Sequence, residues 1–185
     1  MKLNWCTFLP VFSLWHSALA IWPIPRTLQT GTALLKLSPN FRIEVNGIPH
    51  SPQDLLEAIS RTNTRLQSDK LERLVVGRGS SDQAKLVNAP SLAKLTLSLT
   101  SPTAGPVQSI LEEATKAVGS RSESYSLIVP NSNSGVATIV SNSTLGLFRG
   151  LTTFEQLWYD DFSGTTYTYQ APVIISNDSP AYVCV

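Results

Sequence analysis

Residues 142–159 read NSTLGLFRGLTTFEQLWY and carry the most structural information in this 185-residue chain. From about Ser143 to Tyr159 the apolar side chains recur with a period of about 3.6 residues, which is typical of an amphipathic helix. On a helical wheel they gather in one broad stripe, made of Leu147, Phe148, Leu151, Phe154, Leu157 and Trp158. This stripe predicts a helix that packs one face against the protein core.

Arg149 and two glycines stand out within this predicted helix. Arg149 lies roughly opposite the centre of the apolar stripe. Within this chain alone it is interpreted as a solvated arginine on the outer face of the helix. Gly146 and Gly150 each cost about 1 kcal/mol relative to alanine in a helix interior. They also allow another backbone or a ligand to approach the helix closely.

The flanking segments show strand and helix patterns in turn. Ser51 and Pro52 predict the start of one helix, and Ser109 with Glu112 forms a capping box at the start of a short second helix. Strand patterns fall at residues 31–37, 41–45, 92–99, 125–129, 136–140, 165–170 and 172–176. This order predicts an α+β domain, with a largely antiparallel sheet and helices on one face.

The composition excludes several classes of protein. Charged residues make up 15% of the chain, with a net charge of +1, against about 25% charged residues in an average soluble protein. Apolar residues reach 42%, which is enough for a core and argues against disorder. There is no basic excess to neutralise phosphates, so nucleic acid is not an expected partner. Serine and threonine form about a fifth of the chain, which favours an exported protein.

Residues 1–20 predict a signal peptide that is not part of the fold. Lys2 supplies the positive start, an apolar stretch follows, and Ala18 and Ala20 form a small-residue cleavage site. The alternative is a buried N-terminal helix. Cleavage would start the mature chain at Ile21 and predicts a secreted protein, with a vacuolar or lysosome-like compartment as the alternative. No later apolar stretch approaches the roughly 18 residues of a membrane span, so no membrane anchor is expected.

The inventory of reactive side chains is short. After the signal peptide the chain keeps one cysteine, Cys184, and one histidine, His50. One histidine without cysteine partners cannot build a zinc site, so no metal or other cofactor is expected, and His50 is interpreted as a solvated turn residue. The adjacent acids at 112–113 and 160–161 are interpreted as structural. The two glycines in 75–79 are interpreted as part of a turn that needs positive φ.

Two sequons of the form N-x-[ST] begin at Asn142 and Asn177. In a secreted chain both asparagines are candidate glycosylation sites. Pro180 follows the second sequon and is expected to lower its occupancy, so Asn142 is the better candidate.

Several segments stand in one order along the chain: WPIPR, DLLEAISR, RLVVGRG, LTLSL, ESYSLIVP, ATIVSNSTLG, LGLFRGLTTFEQLWY and APVIISNDSPAY. Together they resemble the N-terminal portion of eukaryotic β-N-acetylhexosaminidases of glycoside hydrolase family 20, especially the fungal members, and the similarity covers about residues 21–182. The resemblance implies an N-terminal accessory α+β domain over residues 21–141. It implies that residues 142–185 are the truncated opening segment of the catalytic (β/α)8 domain, a TIM barrel.

The resemblance also implies that Arg149 contributes to substrate binding. In the family, the arginine of the corresponding RGL-TF motif binds hydroxyl groups of the non-reducing sugar, and Arg149 occupies that position. The catalytic pair of the family is an adjacent Asp-Glu, in which the Glu is the general acid and the Asp orients the 2-acetamido group of the substrate. No Asp-Glu dipeptide occurs in these 185 residues, so no catalytic residue is assigned.

The implied function is removal of terminal N-acetylhexosamine from chitooligosaccharides and glycoconjugates, with this chain inactive on its own. The implied partners are N-acetylhexosamine-terminated glycans and a second subunit in a dimer. The alternative is a secreted, non-catalytic α+β module that binds a partner subunit or a glycan.

A chain that ends before its barrel is expected to leave apolar strand residues without a partner. The residues concerned lie after position 165 and carry no charge; they are Tyr167, Tyr169, Val173, Ile174 and Ile175. We therefore expect this segment to be exposed and prone to β-aggregation.

Overall fold

A computed structural model describes residues 21–68, 77–101, 106–133 and 135–178. The predicted signal peptide and Cys184 lie outside these residues. In chain order the elements are β1 (Leu28–Asn46), α1 (Gln53–Ser68), α2 (Arg78–Leu86), β2 (Ser91–Leu99), α3 (Ile110–Thr115), a short 3-10 helix (Val118–Ser120), β3 (Tyr125–Val129), β4 (Ala137–Ser141), α4 (Thr144–Gln156), β5 (Tyr159–Asp160) and β6 (Thr166–Asp178).

The strands form one sheet in the order β1-β2-β4-β3-β6-β5, and β1 also pairs with β6. The pairings β1–β6, β3–β4, β3–β6 and β5–β6 are antiparallel. The pairings β1–β2 and β2–β4 are parallel, because helices lie in the crossover connections between these strands. The predicted α+β class, with a sheet in which antiparallel pairs predominate, is confirmed.

Strand β1 joins two predicted strands into one strand of 19 residues. Its first part pairs with β6 and its second part with β2, and the register with β2 shifts between Leu37 and Arg42. Pro39 lies within this shift, where its missing backbone N–H leaves no ladder hydrogen bond unmade. One continuous strand can therefore serve two different neighbours.

Strand β6 lies between β1 and β3. Val173 pairs with Thr30 of β1 and with Val129 of β3. All five residues that were expected to be exposed are buried or half-buried, namely Tyr167, Tyr169, Val173, Ile174 and Ile175. The prediction of an exposed segment was therefore wrong, because this strand completes the sheet of its own domain and both of its edges are paired.

The main core lies between the sheet and the helices α1, α3 and α4. Phe154 of α4 stacks on Phe41 of β1 with ring centroids 6.0 Å apart, and it meets Trp158 at 5.4 Å. Aromatic pairs of this kind add about 0.5–1.5 kcal/mol beyond the burial of their area. The predicted apolar stripe is confirmed, since all of its members are buried except Phe148, which is half-buried.

Helix α2 was not predicted from the sequence. Gly77 precedes it with a φ of 83°, which confirms the predicted glycine turn at that position. The same prediction is wrong for Gly79, which lies within α2 and has no positive φ; residues 75–76 of the motif lie outside the described residues. The helix lies beside a second, smaller apolar cluster whose buried members are Leu86, Tyr159 and Tyr167.

The predicted division into residues 1–20, 21–141 and 142–185 stays a prediction. The segment after residue 142 contributes α4, β5 and β6 to the sheet and core that the preceding residues form. No (β/α)8 barrel occurs within the described residues.

Candidate functional site

Helix α4 carries Arg149, and two hydroxyl groups determine where this helix begins. The Ser143 hydroxyl accepts a hydrogen bond from the backbone N–H of Gly146 at 3.0 Å. An N-cap of this kind stabilises a helix by about 1 kcal/mol. The Thr144 hydroxyl donates to the carbonyl of Gln108 at 2.8 Å and ties the first turn to the segment before α3. The start of α4 is therefore held in place, and with it the position of Arg149.

Gly146 and Gly150 bring α4 close to strand β4. A Cβ atom at Gly146 would lie 2.0 Å from the Oγ atom of Ser141, and one at Gly150 would lie 2.5 Å from the Cγ2 atom of Ile139. No side chain fits at either position without a shift of the neighbouring atoms. The sequence left open whether a backbone or a ligand approaches these glycines, and in the structure it is β4 of the same chain.

The segment before β3 is held against the start of α4 by two serine hydroxyls. The Ser141 hydroxyl donates to the carbonyl of Ser124 at 2.7 Å, and the Ser143 hydroxyl donates to the carbonyl of Ser122. These two carbonyl groups stand on either side of Glu123 in the chain. The backbone around Glu123 is thereby fixed relative to α4.

Glu123 pairs with Arg149 across this junction. The Nε atom of Arg149 donates to the Oε2 atom of Glu123 at 2.9 Å. The two side chains keep 26% and 15% of their exposure, for Arg149 and Glu123 respectively. The interpretation of Arg149 as a solvated arginine is therefore wrong, because the ion pair and the neighbouring chain cover most of its side chain.

A buried polar network connects the same helix to β3, β6 and the N-terminal arm. The Tyr125 hydroxyl lies 2.7 Å from the Thr153 hydroxyl of α4 and donates to the Oδ2 atom of Asp178 at 3.5 Å. The Oδ1 atom of Asp178 accepts the backbone N–H of Arg26 at 2.9 Å. The network joins four parts of the chain that are far apart in sequence, so α4 is held from its inner side as well as at its start.

Sequence reasoning identified Arg149 and missed Glu123. The two residues are 26 positions apart and belong to different elements. Glu123 stands among serines just before a strand, where no periodicity marks one charged residue as different from another. Only the packing of β3 against α4 brings the two side chains together.

Both sequon asparagines are exposed at the same end of the sheet. Asn142 follows β4 and is exposed. Asn177 lies in β6 with a φ of 46°, and its backbone N–H donates to the Ser126 hydroxyl at 2.9 Å. Ser141, just before Asn142, and Asp178, just after Asn177, both pair with Tyr125. Glycosylation at either asparagine stays a prediction.

The adjacent acids have structural roles, as predicted. The Glu112 carboxylate accepts the backbone N–H of Ser109 at 2.7 Å, and the hydrogen bonds of this capping box lower the pKa of Glu112. The Asp161 carboxylate accepts the backbone N–H groups of Ser163 and Thr165, each at 2.9 Å. Burial acts to raise the pKa of Asp161, but the hydrogen bonds from these two residues outweigh it and lower the pKa.

His50 is exposed in a turn with a φ of 58°, in agreement with its interpretation as a turn residue. Within the described ranges, no three His, Cys, Asp or Glu side chains come together in a way that could hold a metal ion. None of the helices that the structure describes has the length and apolar character needed to cross a membrane.

The fold is shared with part of a larger protein of known structure. The chain superposes on a chitobiase from Flavobacterium johnsoniae with a TM-score of 0.54 and 22% sequence identity. The match covers 83% of this chain and 20% of the chitobiase chain. This likeness concerns the fold alone.

The sequence itself places the chain in a family. Residues 21–157 match the family model described as beta-acetyl hexosaminidase like. Because the match covers most of the chain, this protein belongs to that hexosaminidase family, and the resemblance to glycoside hydrolase family 20 is confirmed.

Two curated relatives carry the same family name. The beta-hexosaminidase subunit beta of Rattus norvegicus is 34% identical over 173 residues, and that of Mus musculus is 31% identical over 170 residues. Each match covers 88% of this chain and 27% of the relative. The chain thus spans about a quarter of the length of these relatives.

Proposed function

We propose that this chain is the N-terminal portion of a β-N-acetylhexosaminidase and supplies one sugar-binding residue, Arg149, to its substrate site. The whole enzyme would remove terminal N-acetylhexosamine from chitooligosaccharides and glycoconjugates. The observation that carries the proposal is the match of residues 21–157 to the hexosaminidase family. It is supported by the position of Arg149 in the segment RGLTTF of α4.

Arginine suits the proposed contact with sugar hydroxyls. Its guanidinium is planar, always charged, and offers five N–H donors in a fixed arrangement. Arg149 stands on a helix that is capped by Ser143 and packed tightly on β4 through Gly146. A donor group on so rigid a support loses little conformational freedom when a ligand binds.

The 185 residues are proposed to lack hydrolytic activity on their own. Hydrolysis in this family rests on an adjacent Asp-Glu pair and on the acetamido group of the substrate as nucleophile, a departure from the usual mechanism with two carboxylates. No Asp-Glu dipeptide is present in the sequence.

The test is an assay of the purified chain with p-nitrophenyl N-acetyl-β-glucosaminide, with an active hexosaminidase as the positive control. We expect no p-nitrophenol above the blank without protein. Release of p-nitrophenol in proportion to the concentration of the chain would contradict the proposed inactivity. An Arg149→Lys variant, assayed in parallel, would show whether any activity belongs to this site or to a contaminant.

Secretion and glycosylation are proposed together. The support is the predicted signal peptide over residues 1–20 and the exposure of Asn142 and Asn177. Expression in a eukaryotic secretory host should yield a chain that begins at Ile21 and moves faster on a gel after removal of N-glycans. Asn142→Gln should remove more of the glycan than Asn177→Gln. An unglycosylated chain that keeps Met1 and stays inside the cell would refute both proposals.

A second candidate function is a non-catalytic module that binds a partner subunit. The relatives are named as subunits, and Trp22 and Ile24 of the N-terminal arm are 75% and 71% exposed. Gln156 holds the Trp22 backbone through both its N–H and its carbonyl, at 2.6 and 3.1 Å. Light scattering should then report a dimer that Trp22→Ala disrupts, whereas a monomer at all concentrations would exclude self-association.

A further inference from the structure

We propose that Glu123 is a positioning residue for Arg149, and that it determines the direction in which the guanidinium faces a sugar. This inference rests on the proposed sugar-binding role of Arg149. It adds a residue to that site which neither the sequence motif nor the family match assigns.

The position of Glu123 is determined on both sides by hydrogen bonds to the backbone. Ser141 and Ser143 bind the carbonyls of Ser124 and Ser122, which are the residues next to Glu123. Ser143 is also the N-cap of α4. Ser143 therefore both caps the helix that carries Arg149 and binds the backbone next to Glu123. The carboxylate and the guanidinium are thus held relative to the same residue.

Gly146 makes this arrangement possible. A Cβ atom there would lie 2.0 Å from the Ser141 Oγ atom and 2.5 Å from the Ser124 carbonyl oxygen, the two atoms of one of these hydrogen bonds. The absence of a side chain at position 146 thus leaves room for the bond that holds the backbone beside Glu123. Helix α4 accepts a residue with poor helix propensity at this point.

The ion pair has a geometric consequence for Arg149. The Nε atom is part of the planar guanidinium, so a hydrogen bond from Nε–H to Glu123 at 2.9 Å restrains the plane of the whole group. An arginine side chain without such a bond rotates until a ligand binds, and it loses much of that rotational freedom only then. Ordering it beforehand lowers the cost of binding by about 0.5–1.5 kcal/mol, or roughly 2- to 10-fold in affinity.

A purely structural role for the pair predicts something different. If Glu123 only tied the segment before β3 to α4, its loss would lower stability and leave the affinity of the folded chain for sugar unchanged. Glu155 provides a matched control, because it pairs with Arg65 at 3.2 Å from the same helix and keeps 17% exposure, close to the value for Glu123. Replacing either glutamate by glutamine removes one ion pair of α4.

The experiment measures binding of N-acetylglucosamine to the full chain by NMR titration, together with the Nε–H signal of Arg149. Wild type, Glu123→Gln, Glu123→Asp, Glu155→Gln and Arg149→Lys are compared. We expect Glu123→Gln to shift and broaden the Nε–H signal and to weaken binding about 2- to 10-fold. Glu123→Asp should recover part of both effects, and Glu155→Gln should change neither.

The outcomes separate this inference from the proposed function. If Arg149→Lys abolishes binding while Glu123→Gln binds like wild type, Glu123 is not a positioning residue and the role of Arg149 stands. If wild type shows no binding, or if Arg149→Lys binds like wild type, the sugar-binding role of Arg149 in this chain fails. In that case the Nε–H signal of Arg149 alone tests whether Glu123 positions the guanidinium. An unchanged signal in Glu123→Gln overturns the positioning role, and a shifted signal that Glu123→Asp recovers supports it.

Discussion

Single residues decide how closely α4 approaches the sheet. Gly146 is a poor helix former by propensity, yet the atoms of Ser141 and Ser124 occupy the space that a side chain would need. The position thus gives up about 1 kcal/mol of helix propensity and in exchange allows a hydrogen bond between β4 and the segment before β3. Helix propensity alone therefore does not predict glycine at this position, because the space for a side chain is taken by atoms of β4 and of the segment before β3.

Gly146→Ala is expected to destabilise the protein. Overpacking against Ser141 should cost about 1–3 kcal/mol of unfolding free energy, of which the better helix propensity of alanine offsets no more than about 1 kcal/mol. Urea unfolding followed by circular dichroism measures the change. Gly119→Ala is the control, because nothing lies within 4 Å of a Cβ atom at that position. A Gly146→Ala variant as stable as wild type would contradict the close approach.

Only one of the two charged residues of the candidate site could be predicted from the sequence. Arg149 was identified because it occupies a motif position in a segment with clear helical periodicity. Glu123 could not be identified, because its importance comes from a contact over 26 residues with no local signal. The partial burial of Arg149 was likewise missed, since a helical wheel shows which side faces the core and not what else covers the helix.

Among the elements, α2 is attached to strand β6 through one buried acid, Asp82. Asp82 is 5% exposed. Its Oδ2 atom accepts the Tyr167 hydroxyl of β6 at 3.0 Å and the Arg78 Nε–H at 3.2 Å. The guanidinium of Arg78 also lies 3.8 Å from the ring centre of Tyr169. The attachment thus combines a buried hydrogen bond, an ion pair and a cation–π contact.

Tyr167→Phe tests this attachment through its pH dependence. Burial and the hydrogen bond to Asp82 raise the pKa of Tyr167 above its ordinary value of 10.0. The unfolded chain therefore releases this proton more readily, so the contribution of Tyr167 is complete below about pH 10 and is lost as the pH rises above it. The variant should lose about 1–3 kcal/mol at neutral pH and show a shallower decline in stability above pH 10.

The measurement is urea unfolding of both proteins between neutral pH and about pH 11, with ultraviolet absorbance to follow tyrosinate formation. Asp82→Asn is the companion variant, because it keeps the ring of Tyr167 and removes the carboxylate. Equal slopes for wild type and Tyr167→Phe above pH 10 would show that Tyr167 does not contribute to this dependence.

At the scale of the whole molecule, β6 unites the two ends of the described chain. Residues near position 174 pair with residues near position 29 on one edge and with β3 on the other. The strand is therefore an interior member of the sheet. This closure explains why the apolar residues of β6 already have partners within the part of the chain that the structure describes.

The corresponding prediction compares two isoleucines in paired strands. Ile175 of β6 has no exposed surface, whereas Ile128 of β3 keeps 47% exposure. Ile175→Ala should cost about 2–5 kcal/mol through lost burial and the resulting cavity, and Ile128→Ala about 1 kcal/mol or less through lost strand propensity. Denaturant unfolding of the two variants measures the difference. Equal and small losses would mean that β6 is not an interior strand.

Periodicity and turn chemistry by themselves determined the class of the fold. The stripe around Phe154, the capping box at Ser109 and the alternation in β2 all follow from which side chains meet water, and each of them is local. The hexosaminidase family could also be identified from the sequence. Each similar segment is weak evidence alone, but many such segments in the same order along the chain are specific to the family.

The tertiary structure alone decided which strands are neighbours, that β6 is covered, and that Glu123 faces Arg149. These contacts join residues 26 to about 150 positions apart, and no local preference of the chain encodes them. They form because burying β6 between β1 and β3 satisfies its backbone groups and its apolar side chains at once. The same closure places the segment before β3 on α4, and with it the carboxylate beside Arg149.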